Sequence, residues 1–142
     1  MNCGRLIANM EVDMDTLELN PDTVCQLVNM AHEFHAKEEV VLPETPLSPG
    51  DSSIMRLLAD HAGDPIYQEL KMAINDLEPD QQVQLVALMW VGRGDFEAQE
   101  WDEAVEAAKD AWNERTADYL IATPLVADYF EEGLSVLGYS CE

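Results

Sequence analysis

Apolar positions recur every three to four residues along most of this chain, the spacing of amphipathic helices. Val24, Leu27, Val28, Ala31 and Phe34 or His35 form the first such stripe. Asn20-Pro21-Asp22 precedes it and reads as a helix start. Asn caps the first turn, Pro fits inside it, and an acid sits near the positive end of the helix dipole. This pattern predicts a helix running to about Glu38. Ser52 or Ser53 opens a second helix through Ile54, Leu57 and Leu58, closed by Gly63. Asp64-Pro65 starts a third, with Ile66, Leu70, Ala73, Ile74 and Leu77 on its apolar side. Glu78-Pro79-Asp80 starts a fourth. There Val83, Val86, Ala87 and Trp90 form one stripe, and Leu85, Leu88 and Met89 lie close beside it. A helix this apolar is expected at the centre of the fold. Gly92 and Gly94 are expected to end it.

Trp101, Ala104, Val105, Ala108 and Trp112 define the next amphipathic helix, and Thr116–Ile121 reads as a short one. Thr123-Pro124 starts the last, with Val126, Tyr129, Phe130, Leu134 and Leu137 inward and Gly138 as its C-cap. Pro43, Pro46, Pro49 and Gly50 exclude a helix over residues 39–50 and mark a loop. Residues 1–19 lack helical periodicity and read as a flexible or extended arm. No internal repeat and no β-hairpin signal is present. The expected architecture is all-α: a compact bundle of about six helices joined by short turns, in one domain over residues 20–142.

With 142 residues, 47% of them hydrophobic, the chain can build one core without a metal or a cross-link. Charge changes the picture more. Twenty-nine acidic residues face seven basic ones, for a net charge of -22. Direct binding to nucleic acid needs a basic footprint and is argued against. Anionic membrane surfaces are argued against for the same reason. The apolar stretch Val83–Val91 falls well short of the roughly 20 residues that span a bilayer. Leu6–Met10 is too short for a signal-peptide core. The charge fits a basic protein partner, mimicry of nucleic acid, or adaptation to a salty cytoplasm. Cys3, Cys25 and Cys141 are odd in number, scattered, and form no CxxC pair. That argues against a disulfide framework and against a zinc site, and points to a reducing, cytoplasmic compartment. The oligomeric state is open, since charge opposes self-association unless an interface is distinctly apolar.

Few residues suggest chemistry. His32 and His35 lie at i, i+3, with Glu33 and Glu38 nearby, a spacing that can share a metal. No HExxH or Glu-x-x-His pattern accompanies them, so two partly exposed histidines at a helix end are expected and no metal site. His61 stands alone beside Gly63, at a helix end. Asp13-x-Asp15 begins like a calcium loop, but Glu18 and Val24 stand where Gly and Glu are required. Gly92-Arg93-Gly94 lacks the rest of a dinucleotide loop or P-loop. Gly133-Leu134-Ser135-Val136-Leu137 does not match a nucleophile elbow. No cofactor is expected, and nothing marks the chain as an enzyme. Arg93 is one of only seven basic residues, and Asp95, Glu97 or Asp118 are its candidate partners. The candidate functional turn is therefore Trp90, Arg93 and Asp95 joined with Arg115, Asp118 and Tyr119. The candidate docking face is acidic: Asp102, Glu103, Glu106 and Asp110. Thirteen acids lie between Asp95 and Glu142, against Lys109 and Arg115. Trp90, Trp101, Trp112 and Tyr119 are read as core.

Several long segments carry a resemblance. They are the stretch Leu85-Val86-Ala87-Leu88-Met89-Trp90-Val91-Gly92-Arg93-Gly94-Asp95-Phe96 and the later Asn113-Glu114-Arg115-Thr116-Ala117-Asp118-Tyr119-Leu120. They are joined by Thr123-Pro124-Leu125, Asp128-Tyr129, Glu132-Gly133-Leu134 and Gly138-Tyr139-Ser140-Cys141. Together they resemble an uncharacterised bacterial family filed as domain of unknown function 3775. The likeness runs from about Leu19 to the C-terminus and is most specific over residues 85–142. The resemblance implies a small intracellular bacterial protein and brings no activity, cofactor or catalytic residue with it. Four functional readings stand: docking of a basic protein, mimicry of nucleic acid toward a DNA-binding protein, a small enzyme or ligand binder at the Trp90–Asp95 turn, and salt adaptation alone.

Overall fold

A computed structural model describes Leu17, residues 19–36, Pro49, residues 53–59, 61–123 and 125–141. These residues form seven α-helices and no strand. The helices are α1 (Pro21–His35), α2 (Ser53–Ala59), α3 (Pro65–Asn75), α4 (Pro79–Arg93), α5 (Trp101–Ala111), α6 (Thr116–Ala122) and α7 (Val126–Val136). A single 3-10 turn, Ala98–Glu100, leads into α5. The all-α expectation holds, and the short piece after Thr116 is a helix in its own right.

Three of the starts share one device. Pro21, Pro65 and Pro79 each occupy the first helical turn, where the missing N–H costs nothing. Asn20 Oδ1 accepts the Asp22 N–H at 2.9 Å. Asp64 Oδ1 accepts the N–H groups of Ile66 at 2.8 Å and Tyr67 at 3.4 Å. Glu78 and Gln81 cap reciprocally, with Gln81 Oε1 accepting the Glu78 N–H at 3.1 Å.

Helix α4 is the central element, as its composition predicts: every residue from Gln82 to Val91 is buried. It packs against α5 and α7, while α1 packs against α7 and α3, and α6 receives α2 and α3. The buried Gln82 is fully bonded. Its amide donates to the carbonyls of Ile74 at 3.0 Å and Leu77 at 3.2 Å, and its oxygen accepts Trp112 Nε1 at 2.8 Å. Leu17 and Leu19 are buried too, so the expected arm ends inside the core. The rest of that arm and most of the Pro-rich loop lie outside the described residues, as do Ser52 and Pro124.

Two glycines set the spacing of α4 and α7. A Cβ on Gly92 would lie 1.8 Å from the Tyr129 carbonyl oxygen, and one on Gly133 would lie 2.5 Å from that of Leu88. The helices thus meet backbone against backbone. Gly92 does not end α4, contrary to expectation. The helix runs on to Arg93, and Gly94 (φ 98°) terminates it, its N–H reaching the carbonyls of Trp90 and Val91. Other boundaries also shift. Helix α1 ends at His35 rather than near Glu38, α2 stops at Ala59 ahead of a turn at 61–63, and α7 begins at Val126 after Leu125, which takes φ 63°.

The expectation of no disulfide is overturned. Cys25 and Cys141 are bonded, with Cα atoms 5.6 Å apart across 116 residues of sequence. The packing of α7 on α1 returns the tail to Cys25, a proximity that spacing in the sequence does not encode. An odd cysteine count excludes complete pairing but not one pair. The inference of a reducing compartment loses its basis with it.

Candidate functional site

The turn after α4 joins four of the six residues expected there. Arg93 donates to Asp95 Oδ2 twice, from Nη2 at 2.6 Å and Nε at 2.9 Å. Trp90 Nε1 donates to the Tyr119 hydroxyl at 3.0 Å, and the Trp90 ring stacks on Phe96 at 6.2 Å. Burial pulls the Arg93 guanidinium down, but its bond to Asp95 and the proximity of Tyr119 outweigh this and leave its pKa raised. One nitrogen, Arg93 Nη1, is buried with no hydrogen-bond partner among the described residues. Arg115 is not part of this group. It is exposed at the start of α6 and makes no ion pair among the described residues; its N–H donates to Asn113 Oδ1 at 2.7 Å. The turn is largely a closed helix terminus: Gly92 for close approach, Gly94 for the reversal, Arg93 and Asp95 for the clasp.

Asp118 faces elsewhere. It is buried on α6, where a lone carboxylate would be costly. Tyr67 on α3 donates to its Oδ1 at 2.7 Å, and Lys71 Nζ lies 3.4 Å from its Oδ2. Lys71 also sits 5.7 Å from the centre of the Tyr67 ring. Burial and the Asp118 carboxylate both hold the Tyr67 phenol protonated and raise its pKa. Beside this clamp lies a cavity of about 310 Å³, lined by Met55, Leu58, Ala59, Tyr67, Gln68 and Lys71. Tyr67 and Lys71 escape a reading of the sequence, because their partner is about fifty residues away and no motif joins them.

Helix α5 has a buried side and an exposed, acid-bearing side. Trp101, Ala104 and Ala108 are buried, while Asp102, Glu103, Glu106 and Asp110 are exposed. Asp102 and Glu103 complement the N-terminal end of the helix dipole, and Lys109 the C-terminal end. Among the described residues none of the four acids forms an ion pair. Trp112, expected in the core, is 37% exposed at the end of this helix, with its indole N–H on Gln82. Trp90, Trp101 and Tyr119 are buried as expected.

The histidine pair separates. His35 Nε2 reaches the Ile121 carbonyl at 2.9 Å, so that nitrogen carries the hydrogen. Desolvation lowers the His35 pKa, the Ile121 bond opposes this, and His32 adds to the lowering. His32 points outward from α1. His61 is buried, edge-on to Phe34 at 5.5 Å.

These features define an all-helical domain centred on a buried helix, with one acidic helix face and one buried carboxylate clamp. Residues 67–139 match a family described as "Protein of unknown function (DUF3775)", and the chain belongs to that family. The matched span begins at Tyr67, later than the likeness read from Leu19, and it contains the clamp, the Gly92–Gly133 contact and all of α5. No curated protein and no solved structure matches the chain. Among the described residues no helix is long and apolar enough to cross a membrane.

Proposed function

We propose that this chain is a binding protein that docks a basic protein partner on α5. The observation that carries the reading is the row Asp102, Glu103, Glu106 and Asp110: four exposed carboxylates on one helix, none neutralised by a described cation. A rigid helix presents them without an ordering cost at binding, and such fields raise association rates and select partners by charge. Trp112 at the end of the row adds a large half-open aromatic, the residue type that anchors interfaces. Mimicry of nucleic acid fits less well. Exposed acids also stand on α1 (Asp22, Glu33), α3 (Glu69) and α7 (Asp128, Glu131, Glu132) rather than along one stripe.

The test is capture from native extract at low and moderate salt, comparing the wild type with Glu103→Lys/Glu106→Lys and with Glu33→Lys/Glu69→Lys as a control of equal charge change. Docking predicts a basic partner that moderate salt releases, that the α5 reversal loses and that the control retains. Equal loss in both variants would show that bulk acidity, as in salt adaptation, is responsible.

A second reading rests on the 310 Å³ cavity, whose volume suits a small ligand and whose polar lining side chains are Tyr67, Gln68 and Lys71. It replaces the Trp90–Asp95 turn as the small-molecule candidate. Fragment screening by NMR, with shifts clustering on Tyr67 and Lys71 and abolished by Lys71→Met, would support it. Shifts scattered over the surface would not.

A further inference from the structure

His32 leaves α1 on the side where α7 packs, and meets two carboxylates there. Its Nε2 lies 3.8 Å from Asp128 Oδ1 and 3.9 Å from Glu131 Oε1. One ligand-capable atom from each of the three residues falls within 4.8 Å of the other two. We propose that His32, Asp128 and Glu131 form a binding site for a divalent transition metal of the Zn²⁺ type.

The ligand atoms are close to the required geometry. Around a tetrahedral Zn²⁺ with bonds of roughly 2.0–2.2 Å, ligand atoms stand about 3.4 Å apart. Closing the present separations takes under about 1 Å of side-chain movement, within reach of exposed rotamers. Asp128 and Glu131 are one helical turn apart, so α7 presents both to the same point. The imidazole comes from a different helix, and that junction is held firmly: α1 packs on α7, and the Cys25–Cys141 bond ties α1 to the segment following α7. Two carboxylates alone would take hard cations loosely, as any acidic surface does. The imidazole selects for Zn²⁺, Co²⁺ or Ni²⁺ over Mg²⁺ and Ca²⁺. Three protein ligands leave coordination positions for water or for an outside ligand. His35, which shares the helical spacing with His32, stands outside this cluster, and its Nε2 donates to the Ile121 carbonyl.

The experiment titrates ZnCl₂ into full-length protein at moderate salt, with the disulfide intact and Cys3→Ser in every sample so that its thiol takes no metal. Calorimetry gives stoichiometry and affinity; CoCl₂ absorption spectra report an imidazole ligand. The site predicts one saturable Zn²⁺ per chain, unaffected by millimolar Mg²⁺, at least tenfold weaker in His32→Ala and in Asp128→Asn/Glu131→Gln. His32 is exposed, so its variant should keep the wild-type circular dichroism. Unsaturable binding, or unchanged affinity in a folded His32→Ala variant, would overturn the site and leave only diffuse counterion binding.

Discussion

Replacing Gly92 by alanine adds one methyl group at the tightest point of the structure. The new carbon would lie 1.8 Å from the Tyr129 carbonyl oxygen and 2.9 Å from the Gly133 nitrogen. Optimal non-bonded contact is about 3.5 Å, so the first of these falls short by roughly 1.7 Å. The obstacle is backbone and has no rotamer to change, so α7 must move off α4 and take the contacts of the central helix with it. One extra methylene in a core that can adjust costs about 1–3 kcal/mol, and this site belongs at the upper end or beyond. Helix propensity opposes by about 1 kcal/mol, since alanine outranks glycine inside a helix. The expected net loss is about 2 kcal/mol or more. Two other glycines calibrate it. Gly94→Ala has open space but a positive φ, and should lose about 1–2 kcal/mol. Gly63→Ala meets nothing within 4 Å and should stay within about 0.5 kcal/mol of wild type. Urea unfolding followed by circular dichroism, with the slope checked for constancy, ranks the three. If Gly92→Ala unfolds at the same midpoint as Gly63→Ala, the backbone contact between α4 and α7 is wrong.

Other tests address the clamp, the histidine, the cross-link and the charge. Tyr67→Phe removes a hydrogen bond to a buried carboxylate and should cost about 1.5–3 kcal/mol in urea unfolding. The Tyr67 pKa is raised on folding, so the unfolded chain loses that proton first. Stability from this group is complete below pH 10 and falls as pH rises above it, a slope that Tyr67→Phe should remove. His35 is shifted the other way: its lowered pKa makes stability fall as pH drops below 6.5, and titrating the wild type against His35→Gln across that range checks it. Thiol titration of the denatured chain should find one reactive thiol before reduction and three after, while Cys141→Ser should cost up to about 4–5 kcal/mol in a chain-entropy account of so long a loop. Added salt should raise the melting temperature by screening a net charge of -22; a flat response would show the charges too dispersed to matter.

Local chemistry made much of this fold readable. The Asn20-Pro21, Asp64-Pro65 and Glu78-Pro79 starts each open a helix, because caps and first-turn prolines act within four residues of themselves. The apolar content from Val83 to Val91, broken only by Gln84, is enough to place α4 at the centre. The alternation of acids with Trp101, Ala104 and Ala108 gave the α5 face. Relations between distant residues left no local trace. Gly92 is read as a helix terminator because glycine often is one, and only the arrival of α7 reveals that its missing side chain makes room. The sequence offers Arg93 as a partner for Asp118, whereas Tyr67 and Lys71 reach it from α3. Cys25 and Cys141 are partners, and His32 meets Asp128 and Glu131, for the same reason: position in three dimensions follows packing, not spacing.

The bond between Cys25 and Cys141 makes most of this chain a closed ring. Every helix from α2 to α7 lies between the two joined residues. A protease that cuts one peptide bond anywhere in that span opens the ring without releasing a piece. The nicked protein would run as a single species on a non-reducing gel and separate into two only after reduction. New termini placed by circular permutation inside the ring would be tolerated on the same principle, since the disulfide would keep the pieces in register. The α4–α7 contact and the acidic face would therefore survive a break in the loops around them.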